Sequence, residues 1–216
     1  MTRPNRLLTI AATTILLATA STVSAAATVP PEDKVVNSDL PTVAEVAEIY
    51  PVFEGGDRSV RRNRTPDTPT KNCLYYRQPV EAAHGKWSSY TDADGGMPYF
   101  DGYEDPGAFV YKFETRRKAR TAYRVVRRHH VRCEGRYEDA DGSVRTRKVI
   151  DVPEIGQQHF AIRTYLRTPN ALTTWSYSRE LSIWFRQGRY LVEARVQAES
   201  YKPHRAKAFA FAQQVF

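Results

Sequence analysis

The strongest periodic signal in the chain is helical and lies between Arg116 and Arg128. Apolar residues recur there at positions i, i+3, i+4 and i+7, so they share one side of a helix. These residues are Ala119, Ala122, Tyr123 and Val126. The other faces carry Arg116, Arg117, Arg120, Arg124, Arg127 and Arg128. The pattern predicts a helix with Thr115 as its N-cap and its apolar side on a sheet. The arginines form either a solvated face, which is the commoner arrangement, or a binding surface.

Two shorter helices are predicted towards the ends of the chain. One lies between Pro41 and Pro51, where one proline opens the helix and the next ends it. Its apolar residues are Val43, Val46, Ala47, Ile49 and Tyr50. The other helix follows Pro203. Its predicted apolar side consists of Ala206, Phe209, Ala212 or Gln213, and Phe216.

Strands are expected in most of the remaining chain. The predicted strands are Trp87–Thr91, Ala108–Phe113, Cys133–Ala140, Ser143–Val152, Gln158–Arg167, Leu172–Arg186 and Arg189–Ala198. Hairpin turns are predicted at Asp141-Gly142, at Thr168–Ala171 and at Gln187-Gly188. The stretches Glu54–Lys71 and Asp92–Pro106 predict loops. The predicted fold class is therefore α+β: a twisted antiparallel sheet with two main helices packed on it and one disulfide.

The predicted turns also set a register for the last three strands. If Gln187-Gly188 is a two-residue turn, Phe185 faces Tyr190 and Arg179 faces Val196. If Thr168–Ala171 is the preceding turn, Phe160 faces Arg179. The inward face is then apolar apart from Arg179. The opposite face, expected to be the wetter one, collects His159, Glu180 and Arg195 in one row, with Ser182 beside Glu193.

An inward arginine needs an interaction, because burying an unpaired guanidinium is costly. An acidic side chain could reach Arg179, or Trp175 or Tyr177 could shield it at the edge of the sheet. Alternatively, Arg179 could line a cavity that receives an anion. The last alternative makes Arg179, Trp175 and Tyr177 the candidate residues of a ligand pocket.

The amino terminus predicts export. Arg3 and Arg6 precede the uncharged apolar run Leu7–Ala20, and small residues follow it. A membrane anchor is the alternative, but this run is shorter than the roughly 20 residues that a spanning helix needs. We expect residues 1–25 to be a cleavable signal peptide, 26–40 a flexible lead-in and 41–216 one sensor-like domain. The mature protein is then secreted and extracellular, with no transmembrane segment after signal removal.

The two cysteines of the chain are Cys73 and Cys133. In an oxidising compartment a pair of cysteines favours a disulfide over two free thiols. Closing a loop of about 60 residues stabilises a fold by about 4 kcal/mol in the chain-entropy model. We therefore expect a structural disulfide.

The charge balance is basic, with 32 Lys and Arg against 24 Asp and Glu and a net charge of +8. A basic exported protein meets anionic cell-envelope components, although its charge can also serve solubility alone. We expect any binding of an anionic wall polymer to be diffuse and screened by salt. A nucleic-acid partner is not expected, because net charge is its only support.

Sequence signals for catalysis and metal binding are weak. The chain has no Gly-x-Ser-x-Gly elbow, and the adjacent pair His129-His130 is expected to interact with a helix dipole rather than with a metal. Asp92–Gly95 and Asp139–Gly142 resemble half of a calcium loop but predict turns. We expect no cofactor, no metal and no catalytic residue. An unrecognised hydrolase is the third hypothesis, after a binding domain and a cell-wall or cell-surface adhesion or structural protein.

The order of elements resembles a known family. An Ala-containing helix ends at a cysteine and is followed by a hairpin, the Val-Pro-x-Ile-Gly segment Val152–Gly156, a strand pair with Trp184, the turn and strand Arg186–Val192, and an Ala/Phe helix. Over Pro41–Phe216 this pattern resembles the extracellular sensor domain of PknH-type receptor kinases of actinobacteria. The resemblance implies a ligand-binding or sensing role, with an unidentified ligand and with no known catalytic residues. As a partner we expect an unknown small molecule or an anionic cell-envelope component. The chain differs from the kinase sensors, which carry two disulfides, and it lacks a kinase.

Overall fold

The computed structural model describes residues 34–95, 103–170, 174–199 and 201–215, without the side chains of 170, 174 and 175. The helices in these ranges are α1 (Val43–Ile49), α2 (Arg116–Arg132) and α3 (Arg205–Gln214). The strands are β1 (Asp57–Arg62), β2 (Thr68–Pro69), β3 (Tyr76–Arg77), β4 (His84–Thr91), β5 (Asp105–Lys112), β6 (Gly135–Glu138), β7 (Val144–Ile150), β8 (Gln158–Asn170), β9 (Thr174–Gln187) and β10 (Tyr190–Ala198). No helix of the described part of the chain is long and apolar enough to cross a membrane.

The main sheet has eight strands in the order β1-β4-β5-β10-β9-β8-β7-β6. Neighbouring strands pair antiparallel throughout. The short strands β2 and β3 form a separate antiparallel pair. This architecture confirms the predicted α+β class with its antiparallel sheet.

Helices cover both faces of the sheet. The α1/α3 face buries Val110, Ile183, Phe185 and Val192 beneath α1 and α3. The α2 face buries Phe160, Trp184 and Leu191 beneath the apolar side of α2. Because alternate residues of a strand point to opposite faces, β10 contributes to both cores.

Helix α2 forms as predicted. The Thr115 side chain accepts a hydrogen bond from the amide of Lys118 at 3.1 Å and so caps the first turn. Ala119, Ala122, Tyr123 and Val126 are buried. The six arginines between Arg116 and Arg128 are exposed.

The apolar side of α3 differs from the prediction. Its buried residues are Ala208, Phe211, Ala212 and Val215, whereas Ala206 is exposed and Phe209 is only half-buried. Both sets have helical spacing, because phenylalanines two residues apart offer two alternative faces. Phe211 is buried rather than Phe209 because its ring packs against Tyr50, the residue that follows α1, at 6.3 Å. Phe216 lies outside the described residues.

The amino-terminal boundary and one loop also need correction. Val35 and Leu40 are core residues, so the domain begins before the predicted Pro41. The predicted loop Glu54–Lys71 contains β1 and β2. Strand β1 is hard to recognise because both of its faces are largely polar. It forms because the free edge of β4 can accept its backbone hydrogen bonds.

Both predicted hairpin registers are wrong, with different consequences. Gln187 pairs with Tyr190, so Val192 rather than Tyr190 faces Phe185; this even shift of two residues leaves every side chain on its predicted face. Strand β8 instead runs on to Asn170, which pairs with Thr174. Phe160 therefore faces Trp184 instead of the predicted Arg179. Because the register differs from the predicted one by an odd number of residues, Phe160 lies on the α2 face.

The predicted disulfide joins Cys73 to Cys133, with 5.3 Å between their Cα atoms. It fastens the segment between β2 and β3 to the C-terminal end of α2. Arginines of β7 extend this attachment: Arg147 donates to the carbonyl of Cys73, and Arg145 donates to the carbonyl of Leu74. The segment Thr70–Tyr76 is therefore held by one covalent bond and by charged hydrogen bonds from Arg145 and Arg147, and Arg132 donates a third to the Thr70 carbonyl.

Removal of this disulfide should destabilise the domain. Replacing both cysteines, Cys73→Ser with Cys133→Ser, is expected to lower the free energy of unfolding by about 2–5 kcal/mol, because the unfolded chain regains its loop entropy. Denaturant titration of the double variant and of reduced wild type would measure this loss. Equal stability of the oxidised and reduced wild type would contradict it.

Candidate ligand-binding site

Arg179 lies on the α1/α3 face, but its surroundings differ from the predicted pocket. Strand pairing places it opposite Tyr165, and its guanidinium lies 5.4 Å from the centre of the Tyr165 ring. Tyr177 stacks on the same ring at 6.1 Å. The structure thus brings Arg179 and Tyr177 together around Tyr165, which supplies the aromatic shielding. The side chain of Trp175 lies outside the described residues.

The face that was expected to be wetter is the α2 side of the sheet, where Ser182 and Glu193 are buried, and it carries a network of charges. Arg195 donates to Glu193 through Nε at 2.9 Å and through Nη2 at 3.0 Å. The Ser182 hydroxyl lies 3.0 Å from Glu193 and 3.1 Å from Glu180. Arg195 also lies over the Phe109 ring, 4.6 Å from its centre. The predicted row with His159 does not form, because His159 pairs with Phe185.

Burial changes the proton affinity of this network. It raises the pKa of Glu193 to about 7, although Arg195 acts to lower it. Burial likewise raises the pKa of Asp105, on β5, to about 6. A buried carboxylate that is only partly neutralised binds a proton more readily than one in water.

The two adjacent histidines at the end of α2 are both buried. His130 packs against Phe160 and Trp184, and burial lowers its pKa to about 3. Burial also lowers the pKa of His129. Burial therefore disfavours the charged imidazoles that the predicted dipole interaction needs.

A groove of about 820 Å³ lies between the solvent side of α2 and the beginning of β8. Its lining residues are Tyr123, Arg124, Arg127, Arg128, Val131, Arg132, Gln158 and His159. Four of these eight residues are arginines and none is acidic.

The position of these arginines follows from helix geometry. Arg124, Arg128 and Arg132 are spaced four residues apart, which is about 6 Å of rise per step along one side of the helix. Arg132 is held by a 3.0 Å hydrogen bond to the carbonyl of Thr70. The Tyr123 hydroxyl donates to the carbonyl of His159 at 2.8 Å, which fixes α2 against β8. The arginines therefore project from a rigid support.

Helical periodicity predicted the arginine face but not the groove. The second wall comes from Gln158 and His159, which are about 30 residues away in sequence and meet α2 only through the packing of β8. Arg132 is also a groove residue that the sequence analysis did not include. It could have been found from its spacing, because it continues the i+4 series of Arg124 and Arg128. The buried pair Glu193 and Arg195 had no recognisable signal, because its strand face was predicted to contact water.

Metal-ligand clusters and one buried hydroxyl–imidazole pair bear on metal binding and catalysis. The described residues contain no cluster of three or more His, Cys, Asp or Glu side chains that could hold a metal ion. The Thr68 hydroxyl lies 2.9 Å from His129 Nδ1, but both residues are buried. A hydroxyl and imidazole pair in this position cannot reach a substrate in solvent.

Comparison with known proteins supports a fold relation. No family model matches the chain, and no curated protein matches it. A crystal structure of the extracellular domain of PknH from Mycobacterium tuberculosis is similar to this chain, with a TM-score of 0.50 and 16% sequence identity. The match covers 82% of this chain and 90% of that chain. The two domains share a fold.

The raised pKa of Glu193 predicts a stability that falls as pH rises. The contribution of protonated Glu193 to the free energy of unfolding is fully present below pH 4.5, the ordinary pKa of a glutamate. This contribution is lost as pH rises through the pKa of the folded state, near 7. In Glu193→Gln the group cannot ionise. Its free energy of unfolding should therefore decline less than that of wild type between pH 5 and pH 8, by on the order of 2 kcal/mol.

The comparison must be made between variants at each pH, because the buried histidines contribute with the opposite sign. Denaturant titrations at fixed salt would provide the values. The exposed Glu154 supplies a matched control, since Glu154→Gln should leave the pH dependence unchanged. If Glu193→Gln follows wild type at every pH, Glu193 is already ionised in the folded protein.

Proposed function

We propose that this chain is a secreted, non-catalytic, sensor-like binding domain whose ligand is an anion held in the groove of α2. The observation that carries the proposal is the convergence of four arginines in one groove without an acidic lining residue. Arginine binds carboxylate and phosphate groups through two parallel hydrogen bonds, which makes it the side chain best suited to such a site.

The chemical character of the groove narrows the ligand class. Val131, which is 37% exposed, places an apolar contact among the arginines. A ligand with both an anionic group and some apolar surface would use all of these contacts. A small anionic molecule or an anionic envelope component both meet this description.

The fold relation supports a role in binding outside the cytoplasm. The similar structure is described as an extracellular domain, and the disulfide favours an oxidising compartment. The proposed signal peptide, residues 1–25, and most of the proposed lead-in, 26–40, lie outside the described residues. We retain the signal peptide and a sensor-like domain extending to residue 216 as part of the proposal, with its beginning moved to include Val35 and Leu40.

Binding of a linear inorganic polyphosphate would test the groove. The double variant Arg124→Gln with Arg128→Gln should bind about tenfold more weakly than wild type, because two charge-assisted hydrogen bonds are lost. Titration calorimetry or fluorescence anisotropy at about 0.1 M salt would measure the dissociation constants.

The matched control removes the same charge from the same helix outside the groove. Arg116→Gln with Arg117→Gln should weaken polyphosphate binding by no more than about twofold. Equal losses in the two double variants would favour the adhesion alternative, in which the whole arginine face of α2 acts diffusely. Equal binding by wild type and the groove variant would overturn the proposed site.

A further inference from the structure

A second basic surface lies on the α1/α3 face, where β8 and β9 extend beyond the helices. The residues of these strands that belong to the α1/α3 core end at Ala161 and Leu181. Past them the strands continue for several residues on each side of the hairpin. Tyr177, in this extension, is 43% exposed. This part of the sheet is therefore accessible from solvent.

Strand pairing gathers cations and aromatic rings on this extension. Lys148 pairs with Arg163, and Arg163 pairs with Leu181. Tyr165 pairs with Arg179 in the next row of the same face. Directly paired residues point to the same side of a sheet. The strand patch is defined here as Lys148, Arg163, Tyr165, Tyr177 and Arg179.

The aromatic members of the strand patch form an ordered series. The rings of Tyr165 and Tyr177 lie 6.1 Å apart with an interplanar angle of 20°. The guanidinium of Arg179 lies 5.4 Å from the Tyr165 ring. Tyr165 is therefore engaged by Arg179 and Tyr177, while the exposed Tyr177 can offer ring surface to a ligand.

The cations of the strand patch are not neutralised within the described part of the chain. The ion pairs found there do not involve Lys148, Arg163 or Arg179. Glu138, which lies opposite Val144 on the neighbouring strand, already pairs with Arg136 at 3.3 Å. The strand patch thus combines uncompensated positive charge with exposed aromatic surface.

We propose that the strand patch binds an acidic glycan. Its arginines would bind the carboxylate groups of the sugar residues, and Tyr177 would pack against the apolar C–H face of one ring. A nucleic acid would satisfy similar contacts, but the disulfide favours an oxidising compartment outside the cytoplasm. The glycan contact is separate from the groove of α2, because the two surfaces lie on opposite faces of the sheet.

An alginate oligosaccharide, a chain of uronic acids, is a suitable probe. Binding to wild type should be measurable at about 0.15 M salt. Tyr177→Ala with Arg179→Gln should weaken it at least about tenfold, since one aromatic contact and one charged contact are lost. The groove variant Arg124→Gln with Arg128→Gln should bind the oligosaccharide as wild type does, within about twofold.

Two further measurements separate charge from recognition. Lys148→Gln with Arg163→Gln should also weaken binding, and it leaves the Tyr165 stack in place if the first variant proves unstable. Tyr177→Ala alone should weaken binding about fivefold, whereas Tyr75→Ala, which removes an exposed tyrosine elsewhere, should not.

Three results would overturn the inference. The first is no binding of alginate by wild type, and the second is unchanged binding by Tyr177→Ala, which would reduce the contact to charge alone. The third is tighter binding of single-stranded oligothymidylate through the same residues, which would assign the strand patch to nucleic acid. Neutral dextran, which lacks carboxylates, should not bind in any case.

Discussion

The burial of the central strands on both faces is the constraint on which the rest of the structure depends. On one face Ile183 and Val192 are covered by α1 and α3, and on the other Trp184 and Leu191 are covered by α2. A strand between two helical layers needs apolar or well-paired residues on both sides. Glu193 and Arg195 meet this need as a bidentate pair, because an isolated buried charge would be strongly destabilising.

The disulfide extends this organisation to the end of α2. It holds the segment Thr70–Tyr76 against β7, where backbone carbonyls of the segment accept hydrogen bonds from Arg145 and Arg147. Arg147 is 1% exposed, so the Cys73 carbonyl satisfies part of a guanidinium that water cannot reach. The covalent bond and the buried arginine therefore support each other. Together they fix the position of the helix whose outer side forms the groove.

Two groups of cations lie on separate outer surfaces of the domain. On α2 they form a row along a helix, and on β8 and β9 they alternate with tyrosines across a strand pair. The first arrangement suits a ligand that presents closely spaced anionic groups. The second suits a ligand that also has flat apolar faces. A non-catalytic binding domain with two separate contact surfaces is consistent with this distribution.

Local pattern alone determined α2, most of the strands, the class of the fold and the disulfide. These features depend on short-range spacing or, for the cysteines, on there being only two of them. Tertiary structure decided which helices cover each face of the sheet and which residues of β8 lie on each face. The pairing of β8 with β9 continues to Asn170 and Thr174, and the resulting odd shift of register places Phe160 on the other face of the sheet. Tertiary structure also brought the beginning of β8 against α2 and Tyr165 beside Arg179, because contacts between distant segments depend on packing that no local periodicity encodes.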